Sequence, residues 1–565
     1  MACVARPGAS AICEIMTDTV SVSTPSATRW APSHGRPGSI RQGILENRAA
    51  AALAALTALA ALLAGAVPAV LRYSPHAPNW DELYFLHRAA CVNRAAFALD
   101  LPALDLCLQE MVKSPILAFL LLFAGDIQGR AELLMLMPVV LAALSLGIAV
   151  LMAWMAQAAR LPLAAIVLGG LACALVPHTL AVGGLIFVDT LFALTVAATL
   201  MLLPLEMGQS PAPSSWRGHI ARGALWGVLA SLGVLGKLTY GVFILAVFPV
   251  LAVLTVRRHG PAALLLRAAA AAAVSLPAAL VILRYMKNYV AHAAGSSFGN
   301  VAQFYDSGMA FGALVRDQIL GTGTGAVPLA LLALMAVFMT VRRPRDAVAP
   351  LYLLAVLLGY FLLVSASPNR DPRFYLPFWF ALPWVLASFA WGTGLGTGRG
   401  DAAGWRLAAP VGVALCAVLA LPAAGSLDLR FVMQSRDALA AVAADHAAQD
   451  IPRNAPPRVL IGSDAGGLNI ESLLLAQQLA VDPAVRSQRL DTLVYDIVRG
   501  ITPEGSVQRL RAADYLMSQS PPDPSAPEWS NRFHGLFLEE ARRNGDAVAA
   551  LGGGSPLTVF RMRHP

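Results

Sequence analysis

Residues 49–71 read A-A-A-A-L-A-A-L-T-A-L-A-A-L-L-A-G-A-V-P-A-V-L, and residues 78–89 follow as P-N-W-D-E-L-Y-F-L-H-R-A. The first stretch holds no charge over a length that, as a helix at 1.5 Å per residue, crosses a hydrocarbon core of about 30 Å. The second places two adjacent acids, Asp81 and Glu82, just past its end. A carboxylate pair beside a membrane helix is either solvated surface or the working end of a membrane protein. The rest of the chain decides between them.

The 565 residues are 57% hydrophobic and only 13% charged, with a mean hydropathy of +0.63. Soluble domains carry about 25% charged residues, so this balance is that of a chain folded in lipid. Segments of about 20 apolar residues recur near 49–71, 132–156, 161–179, 184–204, 219–236, 239–256, 263–283, 325–341, 348–366, 374–391 and 407–425. The expected fold class is an α-helical polytopic membrane protein of about 11 transmembrane helices with a C-terminal extracytoplasmic α/β domain. Residues 1–45, rich in Ser, Pro, Thr and Arg, form a tail with no apolar core and no signal-peptide pattern. The membrane domain takes 46–425, and 426–565 the C-terminal domain.

Basic residues orient the segments. Arg160, Arg217, Arg222, Arg257, Arg258, Arg267, Arg342, Arg343, Arg345, Arg399 and Arg406 fall in one set of loops, and five arginines before the first apolar run, Arg6, Arg29, Arg36, Arg41 and Arg48, join them. That side is assigned as cytoplasmic. The net charge of +8 is thereby accounted for without nucleic acid. The opposite side receives the loop 72–131 with its membrane-surface helices, the loop 284–324 as a candidate lid, and the C-terminal domain. The abundance of Ala, Arg and Gly is bacterial in character, which makes the protein one of the inner membrane and that outer compartment periplasm. Cys91 and Cys107 share the loop 72–131, where a disulfide requires an oxidising compartment; the sequence leaves their pairing open.

Ionisable residues near membrane segments are costly and usually mark a site. Asp81, Glu82, Lys113 (in E-M-V-K-S-P-I-L, 110–117), Asp189 (in G-L-I-F-V-D-T-L, 184–191), Lys237 (in G-V-L-G-K-L-T-Y, 233–240), Arg370 and Arg373 (in S-P-N-R-D-P-R-F-Y-L-P, 367–377) all fall at the outer face. A group-transfer reaction needs a carboxylate base and cations for a departing anion, and this set supplies both. Simpler readings stand beside each residue. Asp81 and Glu82 also suit a helix N-terminus, Lys113 and Lys237 suit snorkelling at an interface, and Arg373 suits a local ion pair with Asp371.

In order and spacing these stretches resemble the GT-C superfamily of polytopic glycosyltransferases, in particular the glycosyltransferase family 39 branch of protein O-mannosyltransferases and the lipid A aminoarabinose transferase. The resemblance covers about residues 50–390. It departs from the family where Lys-Pro-Pro-Leu becomes Lys113-Ser114-Pro115-Ile116. It implies an inverting glycosyltransferase that moves a hexosyl or pentosyl unit from a polyprenyl-phosphate donor to a hydroxyl or amine at the outer face. The acceptor, whether protein, glycolipid or polysaccharide, is left open. It implies catalytic roles for Asp81, Glu82 and Asp189, phosphate contacts from Lys113, Lys237, Arg370 and Arg373, and pocket positions at Tyr84, Tyr375 and Tyr305. A divalent metal (Mg, Mn or Zn) held by Glu82 and Asp189 is an optional cofactor. The competing class is a transporter or flippase for a lipid-linked or small solute. Transporters of that kind usually show two related halves and a site at the bilayer midplane; no internal repeat is visible here, and the polar residues collect at one face.

Past Ser426 the pattern changes. R-V-L-I-G-S-D, L-V-Y-D-I-V, D-Y-L-M-S-Q and L-T-V-F-R-M alternate with helical stretches, which predicts a small α/β domain with a largely parallel sheet. S-D-A-G-G-L-N, after the first strand, is expected to be a turn, and the domain is given no catalytic role.

Overall fold

The computed structural model describes residues 80–159, 161, 163–175, 188–207, 215–298, 310–320, 326–390, 430–449, 456–462, 469–493, 496, 501–519, 528–551 and 557–564. The tail and the expected spans 49–71 and 407–425 lie outside them. In chain order the helices of the apolar part are α1 (Trp80–Phe97), α2 (Leu101–Gln109), α3 (Leu136–Ala158), α4 (Leu163–Leu175), α5 (Val188–Met207), α6 (Trp216–Gly236), α7 (Gly241–His259), α8 (Pro261–Phe298), α9 (Phe311–Leu320), α10 (Ala326–Arg342), α11 (Val348–Ser365) and α12 (Leu376–Ser388). Each of the nine remaining expected spans has a helix over most of its length among the described residues, and six stretches, from Ala131–Ala156 to Val348–Ser365, are long and apolar enough to cross a membrane. The protein is a polytopic α-helical membrane protein with a small C-terminal sheet.

Helix α5 is the axis of the bundle. Every residue from Val188 to Glu206 is buried, and α3, α6, α7, α11 and α12 pack around it. Helices α6 and α8 run closest together because Gly223 and Gly227 form a small-xxx-small face that lets two backbones meet without side chains between them. A Cβ at Gly223 would lie 2.2 Å from the carbonyl oxygen of Arg267, and one at Gly227 would lie 2.6 Å from that of Ala271. Gly260, at φ +82°, ends α7. Pro261 then opens α8, where its missing N–H costs nothing.

Helix α8 does not stop at the membrane edge. Residues 284–298, expected as the start of an outer loop, continue it as helix, and part of the remaining loop is α9. The polar run that marked a loop is long enough to stay helical because its face is anchored. Arg284 forms a bidentate pair with Asp105, Asn288 donates to the Gln109 carbonyl at 2.5 Å, and the Tyr289 hydroxyl accepts from the Leu238 amide at 3.0 Å. Cys91 and Cys107 form a disulfide joining α1 to α2.

The C-terminal part continues with α13 (Arg430–Ala448), β1 (Arg458–Ile461), α14 (Ile470–Leu479), α15 (Pro483–Arg486), β2 (Arg489–Thr492), α16 (Pro503–Arg511), β3 (Tyr515–Gln519), α17 (Glu528–Asn544), β4 (Gly545–Leu551) and β5 (Leu557–Met562). The sheet order is β2-β1-β3-β5-β4. Strand β1 pairs parallel with β2 and β3, whereas β5 pairs antiparallel with both β3 and β4. The sheet is therefore mixed and not largely parallel. Strand β4, G-D-A-V-A-A-L, has no fully buried position and lacks the apolar run that signals a strand. Strand β2 is R-L-D-T, just before the expected L-V-Y-D-I-V. Residues 463–468 of the S-D-A-G-G-L-N turn lie outside the described residues. Alternation along β1, β3 and β5 sends Leu460, Leu516 and Phe560 to one core and Val459, Ile461, Tyr515, Met517 and Val559 to the core shared with the helices, as the period of two requires.

Helix α14 lies against α1. His87 Nδ1 hydrogen-bonds Glu471 Oε2 at 2.9 Å, with both residues buried. The Gly129 amide donates to the Leu479 carbonyl at 3.0 Å. Gly129 holds φ +75° with Val481 close by, a backbone that other residues rarely adopt.

Candidate active site

Five sequence stretches, spread over nearly 300 residues, meet at one end of the bundle. Asp81 sits in the first turn of α1, Asp189 in the first turn of α5 and Lys237 at the C-terminal cap of α6. Lys113 lies in the segment after α2, and Arg373 in the 3-10 turn Pro372–Tyr375 that opens α12.

Asp81 binds two cations. Its Oδ1 accepts from Lys113 Nζ and its Oδ2 from Arg373 Nη1 at 2.6 Å. Arg373 is shared: its Nε and Nη2 reach Asp371 Oδ2 at 2.9 and 2.7 Å. The local pair Asp371–Arg373 therefore exists, and Arg373 is at the same time part of the cluster. Asp189 is 4% exposed and takes Lys237 Nζ as its partner. The Lys237 ammonium also lies 4.7 Å from the Phe374 ring centroid, a cation–π contact that places this second pair against the Arg373 turn. Arg373 feels the charges of Asp81, Asp189 and Asp371 together.

Burial alone would raise the Asp81 carboxyl, but the Lys113 ammonium and Arg373 guanidinium outweigh it and hold the group well below the usual carboxylate range. Asp81 is thus ionised and, while both cations stay, a weak base. His292, on the extended end of α8, senses Lys113 and Asp81; burial and the Lys113 charge push its imidazole down to about 4, with Asp81 opposing. It is neutral at pH 7. The sequence offered His292 only as part of the candidate lid, because a lone histidine in a polar run has no spacing to mark it.

The scaffold behind these groups is specific. The Tyr84 hydroxyl accepts from the Val112 and Lys113 amides at 2.8 and 3.3 Å, and the Lys113 ammonium lies 4.9 Å from its ring centroid. Ser114, the departure from Lys-Pro-Pro-Leu, donates its hydroxyl to the Leu235 carbonyl and so ties the Lys113 stretch to the Lys237 turn. That turn forms because Gly233 leaves room for the Tyr240 ring; a Cβ there would lie 2.4 Å from it. The Tyr240 hydroxyl in turn pairs with Thr199 at 2.5 Å.

Some candidates sit differently from the expectation. Glu82 is fully buried, and consecutive helical residues point about 100° apart, so it does not stand beside Asp81 on one face. Tyr375 is fully buried, 3.4 Å from the Ser365 hydroxyl and packed on Phe361, which makes it part of the wall's interior. Tyr84 is a buttress for Lys113. Arg370 is partly exposed, two residues before the turn that holds Arg373. Tyr305 lies outside the described residues. For a divalent metal the donor set does not fit: among the described residues no three His, Cys, Asp or Glu side chains gather, and Asp81 and Asp189 are already matched to lysines.

No protein-family profile matches the chain, and no curated protein sequence does. Among solved structures, the chain is similar to the crystal structure of ArnT from Cupriavidus metallidurans bound to undecaprenyl phosphate, with 15% identity, a TM-score of 0.47, and coverage of 93% of this chain and 98% of that one. The apo structure of the same ArnT gives 15% identity and a TM-score of 0.46, over 93% and 97% of the two chains.

Proposed function

We propose that this protein is an inverting glycosyltransferase of the GT-C type, acting on a sugar linked to a polyprenyl phosphate at the outer, periplasmic face of a bacterial inner membrane. The observation that carries the reading is the cluster itself: two lysine–carboxylate pairs joined through Arg373 at one end of an apolar bundle. Transporter sites lie near the bilayer midplane, whereas Asp189 and Lys237 stand at the ends of apolar helices, which favours the enzyme reading. The Cys91–Cys107 disulfide beside it supports an oxidising compartment on that side.

The chemistry follows from the pairing. Lys113 and Arg373 are both paired with Asp81, and Arg373 also with Asp371. A donor phosphate is a second anion for the same cations, and a guanidinium fork grips two of its oxygens. As the cations shift toward phosphate, the Asp81 carboxylate loses the charges that depressed its proton affinity. An acceptor hydroxyl or amine attacks the anomeric carbon, its proton passes to Asp81, and the bond from that carbon to the phosphate oxygen breaks. The phosphate leaves with the electron pair. Its growing charge is met by Lys113, Arg373 and Lys237, the last held in place by Asp189. One displacement inverts the anomeric centre. Arg370 stands beside the same turn as a further phosphate contact.

The test is turnover of polyprenyl-phosphate sugars by the protein in liposomes, wild type against Asp81→Asn. Transfer by the wild type, lost in a folded variant, supports the reading. Equal transfer by both removes Asp81 from the chemistry. Solute flux across the liposome with no transfer replaces the enzyme with a transporter.

A further inference from the structure

A second charged cluster lies at the other end of α5. Glu206 is seventeen residues past Asp189, about 26 Å along the helix, which is close to the thickness of a hydrocarbon core. Its carboxylate takes Arg222 Nη1 at 3.0 Å and Arg267 Nη1 at 2.8 Å. Arg267 Nη1 also donates to Thr255 Oγ1 at 3.0 Å, and its Nε to His219 Nδ1 at 3.3 Å. Its guanidinium lies 5.5 Å from the Trp226 centroid. Arg258, at the end of α7, donates to the carbonyls of Glu206 and Met207.

One role of this cluster is to staple four helices. The close approach at Gly223 fixes the Arg267 backbone against α6. A staple, however, needs one cation for one carboxylate. Here two guanidinium groups, of Arg222 and Arg267, share the Glu206 carboxylate, a third, of Arg258, rests on the Glu206 and Met207 backbone carbonyls, and among the described residues no other acid pairs with any of them. Arg267 is 0% exposed, and its Nη2 has no hydrogen-bond partner among the described residues. A buried donor left unpaired is destabilising, the more so when charged. The surplus of positive charge and the open N–H together call for an anion. Arg222 is the way in, with its side chain 18% exposed. Trp216, exposed and stacked with Arg217 at 5.4 Å, opens the same helix, as aromatic residues do at headgroup depth.

We propose that Arg222, Arg258 and Arg267, oriented by Glu206, bind a phosphate oxyanion at the membrane interface opposite the active site, supplied by an anionic phospholipid headgroup or by phosphate from solution. Basic pockets between membrane helices suit the first source, and the exposed Leu265 and Leu266 beside Arg267 offer a path for its acyl chains.

The experiment uses the full chain in detergent, with phosphatidylglycerol titrated and the bound fraction read by native mass spectrometry. Inorganic phosphate is tested in parallel by its effect on the melting temperature. The double variant Arg222→Gln/Arg258→Gln avoids the buried Arg267, and Arg222→Lys/Arg258→Lys keeps the charge. Loss of two charge-assisted contacts is expected to weaken phosphatidylglycerol retention by about tenfold or more, with partial recovery in the lysine variant. Protection by inorganic phosphate that the glutamine variant loses assigns the site to a soluble anion. Identical lipid retention and identical phosphate response in a folded glutamine variant overturn the site and leave only the staple.

Discussion

Asp81→Asn separates two roles that the active-site geometry joins in one carboxylate. In the proposed reaction Asp81 competes with the donor phosphate for Lys113 and Arg373, and it is also the proton acceptor. Removing its charge should therefore strengthen phosphate binding while it abolishes turnover. The two ion pairs involve side chains that are 22–24% exposed, between the surface case of about 0–1 kcal/mol and the buried case of several. Taking about 1 kcal/mol for each pair, releasing Lys113 and the Nη1 side of Arg373, whose Nε and Nη2 stay on Asp371, is worth at most about 2 kcal/mol, or roughly 30-fold in affinity. Loss of a general base costs about 10²–10⁴-fold in rate. A polyprenyl phosphate without sugar, titrated in detergent by calorimetry, reads the first effect, and single-turnover transfer from the sugar-loaded donor reads the second. Weaker or unchanged polyprenyl-phosphate binding in the variant refutes the exchange of cations between Asp81 and phosphate, whatever happens to the rate.

Three further outcomes are expected. Gly223→Leu places atoms where the Arg267 backbone lies 2.2 Å away, and overpacking of this kind costs about 1–3 kcal/mol or more; the melting temperature in detergent should drop by several degrees, or the protein should aggregate. Reducing Cys91–Cys107, a bridge between residues sixteen apart, should remove about 3 kcal/mol, seen as an earlier melt with reductant and no change in Cys91→Ser/Cys107→Ser. His292 has a folded value of about 4, below the 6.5 of the free side chain, so the unfolded chain binds the extra proton first and stability falls as pH drops from 6.5 toward 4. His292→Gln should lessen that acid loss, measured as the difference in melting temperature between pH 7.5 and 4.5, with Lys113 and Asp81 still facing the position.

The spans were legible in sequence because a run of about twenty apolar residues has few alternatives to a membrane helix. Asp81, Lys113, Asp189, Lys237 and Arg373 were legible as a group because each is a costly charge near such a run. Which of them pair was not. Lys113 meets Asp81 across 32 residues and Arg373 meets it across 292, and no local pattern encodes either distance. Ser114 read as a departure from a motif, yet its hydroxyl is a tie between two halves of the site. Tyr375 read as a pocket residue because it precedes Leu-Pro in an aromatic run, whereas packing on Phe361 decides where it points. Residues 284–298 read as loop because they are polar; Arg284, Asn288 and Tyr289 find partners on α2 and α6–α7, and tertiary contacts keep the helix going.

The contact between His87 and Glu471 has a consequence for how the chain is made. The two residues are 384 positions apart, and at roughly 5–20 residues per second that interval takes about 20–80 s of synthesis. During all of it α1, which carries Asp81, lacks the surface that will bury its His87. The helix that carries Asp81 is therefore covered only by the last quarter of the chain. A nascent or truncated protein exposes an apolar helix face there, and any factor that guards newly inserted membrane proteins has a marker of incompleteness to recognise.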